Sequence, residues 1–196
     1  MPLAHIRPPC VSRPHALPRR PAIDIRPLAG VPDTAVEALL DAAFGAGRRM
    51  RTAYRIRAGM AAIDSLSFAA FDGAALTGTI QCWPVELRES EAVATPLVML
   101  GPVAVVPARH GEGIGHALMQ AAIDAAHTQA LADALMLIGD PEYYGRFGFS
   151  ATCTAGWDAP GPVERHRLLA FGPCTPRSTG MLGPRRTSLY AARPRA

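Results

Sequence analysis

The sequence predicts an α/β (α+β) fold: a mixed, largely antiparallel sheet with a central, splayed parallel strand pair and flanking helices. Three observations carry that expectation. Two strand-like runs, Leu66 to Phe71 and Leu76 to Trp83, meet across Asp72-Gly73, a strong hairpin signal, so they pair antiparallel. An apolar strand (Leu97 to Val106), a glycine-rich loop (Gly111, Gly113, Gly115), an amphipathic helix from about Ile114 and a short apolar run (Ala134 to Ile138) form a strand, helix and strand crossover with parallel strands. Gly101-Pro102 interrupts the first of these strands, and a proline there removes a ladder donor, so the strand is expected to bulge or splay from its parallel neighbour.

Composition narrows the rest. The chain has 196 residues, 49% of them hydrophobic, enough for one domain with a real core plus tails. No run approaches the roughly 18 apolar residues of a membrane span. The N-terminus, with Arg7, Arg13, Arg19 and Arg20 among prolines, lacks the apolar core of a signal peptide, so a cytoplasmic protein without a membrane partner is expected. Cys10, Cys82, Cys153 and Cys174 are widely spaced, and the six histidines form no ligand motif; neither a disulfide framework nor a metal site is suggested.

All twenty basic residues are arginine, and they are unevenly placed. Residues 1–23 and 173–196 hold nine arginines and no acid, whereas residues 24–172 carry a net charge of −5. The basic balance therefore belongs to the tails. A nucleic-acid-binding domain should carry its basic stripe on a folded face, so nucleic acid is disfavoured as a partner. The expected organisation is a disordered Pro/Arg-rich tail over 1–22, one domain over 23–172, and a Pro/Arg-rich C-terminal extension over 173–196.

Within the domain, Ile23 to Arg26 alternates as a first strand. Asp33 caps a helix whose apolar positions Val36, Leu39, Leu40, Ala43 and Phe44 share one face, with Gly45 as its stop. Residues 48–62 form a second helical stretch carrying Arg48, Arg49, Arg51, Arg55 and Arg57. A basic lip on a substrate site is one reading of that run; a solvated helix face is the preferred one. The hairpin strands follow, then a polar loop with Glu86, Glu89 and Glu91. In the crossover helix, Ile114, Ala117, Leu118, Ala121, Ala122 and Ala125 draw the apolar face, and His116, Gln120, Asp124 and His127 the solvated one. Gly139-Asp140-Pro141 starts a very short helix, with Asp140 at its cap, that leads into Tyr143-Tyr144-Gly145-Arg146-Phe147-Gly148-Phe149. Strand-like segments follow at Ser150 to Thr154 and Arg167 to Phe171.

The loop over His110 to Gly115 is an anion cradle: successive backbone N–H groups converge there, and the helix dipole adds positive charge. A nucleotide-binding P-loop requires a lysine, which this chain lacks. A dinucleotide fingerprint needs G-x-G-x-x-G, and counting from Gly111 the third glycine position holds His116.

The remaining pattern, His110-Gly111-Glu112-Gly113-Ile114-Gly115 followed some thirty residues later by Tyr144-Gly145-Arg146-Phe147-Gly148-Phe149, resembles the GNAT superfamily of acyl-CoA-dependent N-acetyltransferases. The family loop reads Gln/Arg-x-x-Gly-x-Gly/Ala, with a Tyr four residues before a Gly-Phe pair. The run Gly139 to Phe149 is especially similar to a small bacterial branch often called YhbS-like. His110 stands where the family has Gln or Arg, and the helix before Tyr144 is shorter than is common, with Asp140 only approximately replacing a usual Asn.

The resemblance implies an acetyl-CoA-dependent transferase acting on a primary amine of a small molecule or protein, without a metal. It places pantetheine contacts on the backbone of Val103, Ala104 and Val105, and the pyrophosphate on His110, Gly111, Glu112, Gly113, Ile114 and Gly115. It makes Tyr144 both a CoA contact and the general acid that protonates the departing thiolate. Read without the family, Tyr144 is an aromatic packing the crossover, as Tyr143, Phe147 and Phe149 are expected to do. Glu86, Glu89, Glu91 and Asp64 read as surface carboxylates rather than as a general base. The partners implied are acetyl-CoA and an unidentified amine, with a homodimer as in many relatives. A second reading is a non-catalytic acyl-CoA-binding module whose basic tails contact nucleic acid or another polyanion.

Overall fold

The computed structural model describes residues 23–186, so the N-terminal tail over 1–22 and the last ten residues lie outside the described part of the chain. Eight strands form one sheet: β1 (Asp24–Pro27), β2 (Phe68–Asp72), β3 (Ala75–Arg88), β4 (Ala94–Val105), β5 (Leu135–Ile138), β6 (Trp157–Asp158), β7 (Leu168–Phe171) and β8 (Gly180–Pro184). The main path runs β1-β2-β3-β4-β5-β7 and is antiparallel except for β4 with β5. Around the sheet lie α1 (Asp33–Phe44), α2 (Thr52–Ile56), α3 (Ile114–Thr128) and α4 (Pro141–Tyr144). The sheet is thus mixed and largely antiparallel, with one parallel pair at the crossover, as the sequence predicts.

Strand alternation divides the core between the two faces. Val98 and Leu100 of β4 join Leu66, Ile80, Leu135 and Leu137 in the cluster beneath α3, where Ile114, Leu118, Met119, Ala122, Ile123 and Ala126 are buried. Leu97 and Met99, their neighbours in sequence, point the other way onto Ile56, Val85, Met136, Trp157 and Leu182. Close approach of α3 to β3 depends on Gly78, where a Cβ would lie 2.9 Å from a methyl of Ile114. Truncating a fully buried residue such as Leu118 to Ala should cost about 2–5 kcal/mol.

The structure differs from the sequence reading at five places. Asp33 does not cap the first helix: it is the first residue of α1, Pro32 holds the N-cap position, and no side chain caps it. The domain does not end at residue 172: Met181 to Pro184 of β8 pair with Arg88 to Val85, on the same edge of β3 that β2 occupies only as far as Ile80. β6 then adds to β8 in parallel. An unpaired edge of β3 would expose a row of backbone groups, and β8 covers it, so residues 173–186 are part of the fold rather than an extension. The stretch 48–62 is not one helix; it is a 3₁₀ turn over Ala46–Met50 followed by the five-residue α2. Glu86 lies within β3 and is buried, not in a polar loop. Ser150 to Thr154 contributes only a single bridge, from Ser150 to Ala170.

Candidate functional site

The central strands part at the middle of the sheet. β4 and β5 are paired only at Val98 with Leu135 and Met99 with Met136. Beyond that point β4 keeps β3 on one side, through Val103, Ala104 and Val105, and among the described residues has no strand partner on the other. The parting falls at Gly101-Pro102, whose proline nitrogen has no hydrogen to donate. A cleft of about 880 Å³ opens there, walled by Met99 to Val103, by Arg48, Arg51, Tyr54 and Arg57, by Ile138 to Asp140 and by Tyr144 and Glu164.

A second hollow of about 390 Å³ continues from the first, sharing Phe44, Val103, Tyr143 and Tyr144 with it. It runs past Val105 to the loop of His110, Gly111, Gly113, Ile114 and Gly115. Gly113 forms the N-cap of α3 with φ +85°, a conformation that a side chain disfavours. The first-turn N–H groups of α3 have no acceptor within the helix and are aimed at this end. Arg109, Arg146, His110 and His116 line the hollow, and no carboxylate does. Electrostatics and free donors therefore both suit an anion.

The sequence-predicted residues of the loop take distinct positions. Glu112 turns away from the hollow and pairs with Arg109 at 2.7 Å, while Arg109 also reaches Asp72 at 2.9 Å. That chain of charges ties the loop to the β2–β3 turn and occupies Arg109. His110, at the family's Gln/Arg position, sets its Nε2 3.2 Å from the carbonyl oxygen of Val105, so it braces the end of β4. Arg146, stacked over Tyr143 at 4.7 Å, is a cation at the hollow that the sequence reading did not single out.

Tyr144 sits where the two hollows meet. α4 holds it there: the Asp140 side chain accepts from the Glu142 N–H at 2.9 Å, and Pro141 supplies the first helical φ. Its ring packs edge-on against Tyr143. Burial pushes the Tyr144 phenol up to about 12, with Tyr143 and Asp140 adding to the shift, so it keeps its proton at neutral pH. Packing and chemistry are compatible here, since the half-buried ring still lines both hollows.

The arginine run is the largest surprise of the site. Arg48 is only 1% exposed; it pairs with Glu37 and Asp41 and donates to the Tyr54 hydroxyl. Arg57 is 5% exposed, sandwiched 4.2 Å from the ring centres of both Tyr54 and Trp83, and its Nη1 donates to the Gly101 carbonyl at 2.9 Å. Both line the larger cleft. The preferred solvated-face reading of these two residues is therefore overturned, because their partners come from α1, β3 and β4. Spacing along 48–57 carries no signal of that.

Comparison with known proteins places this geometry. The family model described as acetyltransferase (GNAT) domain matches residues 25–152. The structure is similar to that of YhbS, a GNAT family N-acetyltransferase from Escherichia coli solved with CoA, with a TM-score of 0.68 and 20% identity over 87% of this chain and 94% of that one. A GNAT family acetyltransferase from Brucella melitensis, solved with acetyl-CoA, is 28% identical over 79% of this chain and 99% of that one, with a TM-score of 0.49. No curated protein matches the chain at a significant level. From the family match over β1 to the segment after α4, on a sheet that parts at its central parallel strands, the chain belongs to the GNAT acetyltransferase family.

Proposed function

We propose that the protein is an acetyl-CoA-dependent N-acetyltransferase that moves an acetyl group to a primary amine by direct attack. The observation that carries this reading is the meeting of an anion-suited hollow and an open cleft at Tyr144. The hollow fits a pyrophosphate: it is free of carboxylates, and the absence of side chains at Gly111 and Gly113 lets backbone donors approach an oxyanion. The unpartnered edge of β4 at Val103 to Val105 suits the amides of an extended pantetheine arm, as a short added strand would. The similar E. coli protein, solved with CoA, supports the same assignment.

When bound, acetyl-CoA supplies the activated acyl group, which passes to the amine as the thiol departs. The chain's own residues then have three tasks. Ile114, Gly115 and their loop hold the phosphates through backbone N–H groups. A backbone N–H near Val105 stabilises negative charge on the carbonyl oxygen; such donors act strongly where water is excluded. Tyr144, kept neutral by burial, gives its phenolic proton to the sulfur as the C–S bond breaks; the proton that the attacking amine gives up passes to water, from which the phenolate is reprotonated.

The experiment is a thiol-release assay over an amine panel with wild type and Tyr144→Phe. The variant should bind CoA as wild type does and turn over about 100-fold more slowly, the usual scale for a general acid. Unchanged turnover would remove Tyr144 from the mechanism. Failure of wild type to bind acetyl-CoA by calorimetry would remove the reading itself.

A further inference from the structure

The cleft beside Tyr144 has an uneven charge balance that the transfer reaction does not use. Arg48 is neutralised by Glu37 and Asp41, and Glu37 also holds Arg49. Arg51 donates to the Phe44 carbonyl and lies over the Phe44 ring. Arg57 has no carboxylate within ion-pair distance among the described residues; it meets the Gly101 carbonyl, the side chain of Tyr54 and the face of Trp83, none of them an anion at neutral pH. It is nonetheless buried, and it lines the cleft.

Burying a guanidinium without a counter-ion is costly, and the two ring contacts offset only part of that cost. One N–H is used by Gly101, whereas the fork offers five. Such a group lining a cleft suits a ligand carboxylate, which matches the fork in a bidentate fashion. The same cleft is also lined by Asp140 and Glu164, and by Arg167. An ammonium group entering the cleft is attracted toward those two acids, and Tyr144 lines the same cleft as Arg57.

We propose that the acceptor is a small amino-carboxylate, an amino acid or a near relative, anchored through its carboxylate by Arg57 while its amine faces Tyr144. The proposal rests on the N-acetyltransferase reading and names its substrate class. Arg57 is then a specificity residue, acting on the acceptor rather than on the acetyl donor.

The test uses full-length protein, acetyl-CoA and matched pairs of probes: the common L-amino acids and their carboxamides, which lack the anionic group, with kcat/KM expressed per neutral amine because the α-amine of the amide is the less basic. Turnover is read by thiol release, and binding to CoA-saturated protein by calorimetry. Wild type should prefer at least one acid over its amide by about 10-fold or more in kcat/KM, mostly through KM, as expected for a charge-assisted hydrogen bond. In Arg57→Gln that preference should fall to within about 3-fold of unity, and Arg57→Lys, which keeps the charge and loses the fork, should restore part of it.

A panel in which no acid reacts or binds in preference to its amide overturns the proposal, as does a preference that survives in Arg57→Gln. Should Arg57→Gln fail to fold, the wild-type acid-to-amide comparison decides alone. Loss of acetyl-CoA binding by wild type is the separate outcome that overturns the transferase reading, while intact binding with amides preferred overturns only the carboxylate anchor.

Discussion

The ring of Tyr144 lies directly over Gly139, so close that a Cβ on the glycine would come within 2.1 Å of the ring. The end of β5 and the last residue of α4 are thereby fitted together, and the glycine sets where the phenol stands in the cleft. Gly139→Ala should push the ring aside, lowering turnover by about 10- to 100-fold. CoA affinity should stay within about 3-fold of wild type by calorimetry, since the loop at α3 is untouched. Equal turnover in the variant would show that the placement of the ring is unimportant.

The pH dependence follows from the direction of the Tyr144 shift. A raised phenol keeps its proton as pH climbs past the ordinary value of about 10, so the acid form persists through the working range. The rate should rise as the amine substrate loses its proton and show no descending limb at or below about pH 10. A descending limb centred near pH 8 or 9 in wild type, absent in Tyr144→Phe, would assign Tyr144 an ordinary or lowered pKa and contradict this account.

At the other end of the hollow, a Cβ on Gly115 would lie 3.2 Å from the Tyr143 hydroxyl and 3.7 Å from a methyl of Val105. Gly115→Leu should fill that space and raise the Kd for CoA by about 10-fold or more, about 1.4 kcal/mol. Calorimetry on the folded variant measures it. An unaltered Kd would move the phosphate site elsewhere.

Arg48 supplies a stability prediction. Glu37→Gln combined with Asp41→Asn leaves a buried guanidinium with neutral acceptors only and no counter-ion, which should cost about 3 kcal/mol in urea unfolding. Burial opposes ionisation of Glu37, but Arg49 and Arg48 together hold its carboxyl below the ordinary 4.5. A depressed carboxyl contributes stability above that value and loses it as pH falls below it. The gap between wild type and the double variant should therefore narrow from about pH 5 downward; a gap independent of pH would mean that packing, not charge, carries it.

The cysteines should differ in reactivity. Cys82 is buried in β3 and its thiol is pushed up to about 12, whereas Cys174 is exposed. Iodoacetamide applied to native protein, followed by peptide mapping, should modify Cys174 and leave Cys82 intact until the chain is unfolded. Native labelling of Cys82 would place it outside the core.

Much of the fold is legible in the sequence because the signals are local. The hairpin turn, the helical period of α1 and α3, the Asp140-Pro141 start of α4 and the glycine loop each lie within a few residues and form close to where expected, the turn itself falling on Gly73-Ala74, one residue beyond Asp72-Gly73. The proline in β4 likewise marks where the central strands part. The two motifs that suggest the family, at His110 to Gly115 and Tyr144 to Phe149, are short and contiguous for the same reason.

Only the tertiary structure decides the fate of the charges and of the C-terminal segment. Arg57 is buried because Tyr54, Trp83 and Gly101 close around it, and Gly101 is 44 residues away in the chain. Glu86 is held by Arg88 and by the backbone N–H of Arg186, 100 residues further on, after β8 has taken the edge of β3. A periodic pattern states which face a residue occupies; it does not state what will cover that face. Whether an arginine is solvated or buried depends on partners brought together across the sheet, and that is settled only when the chain has folded.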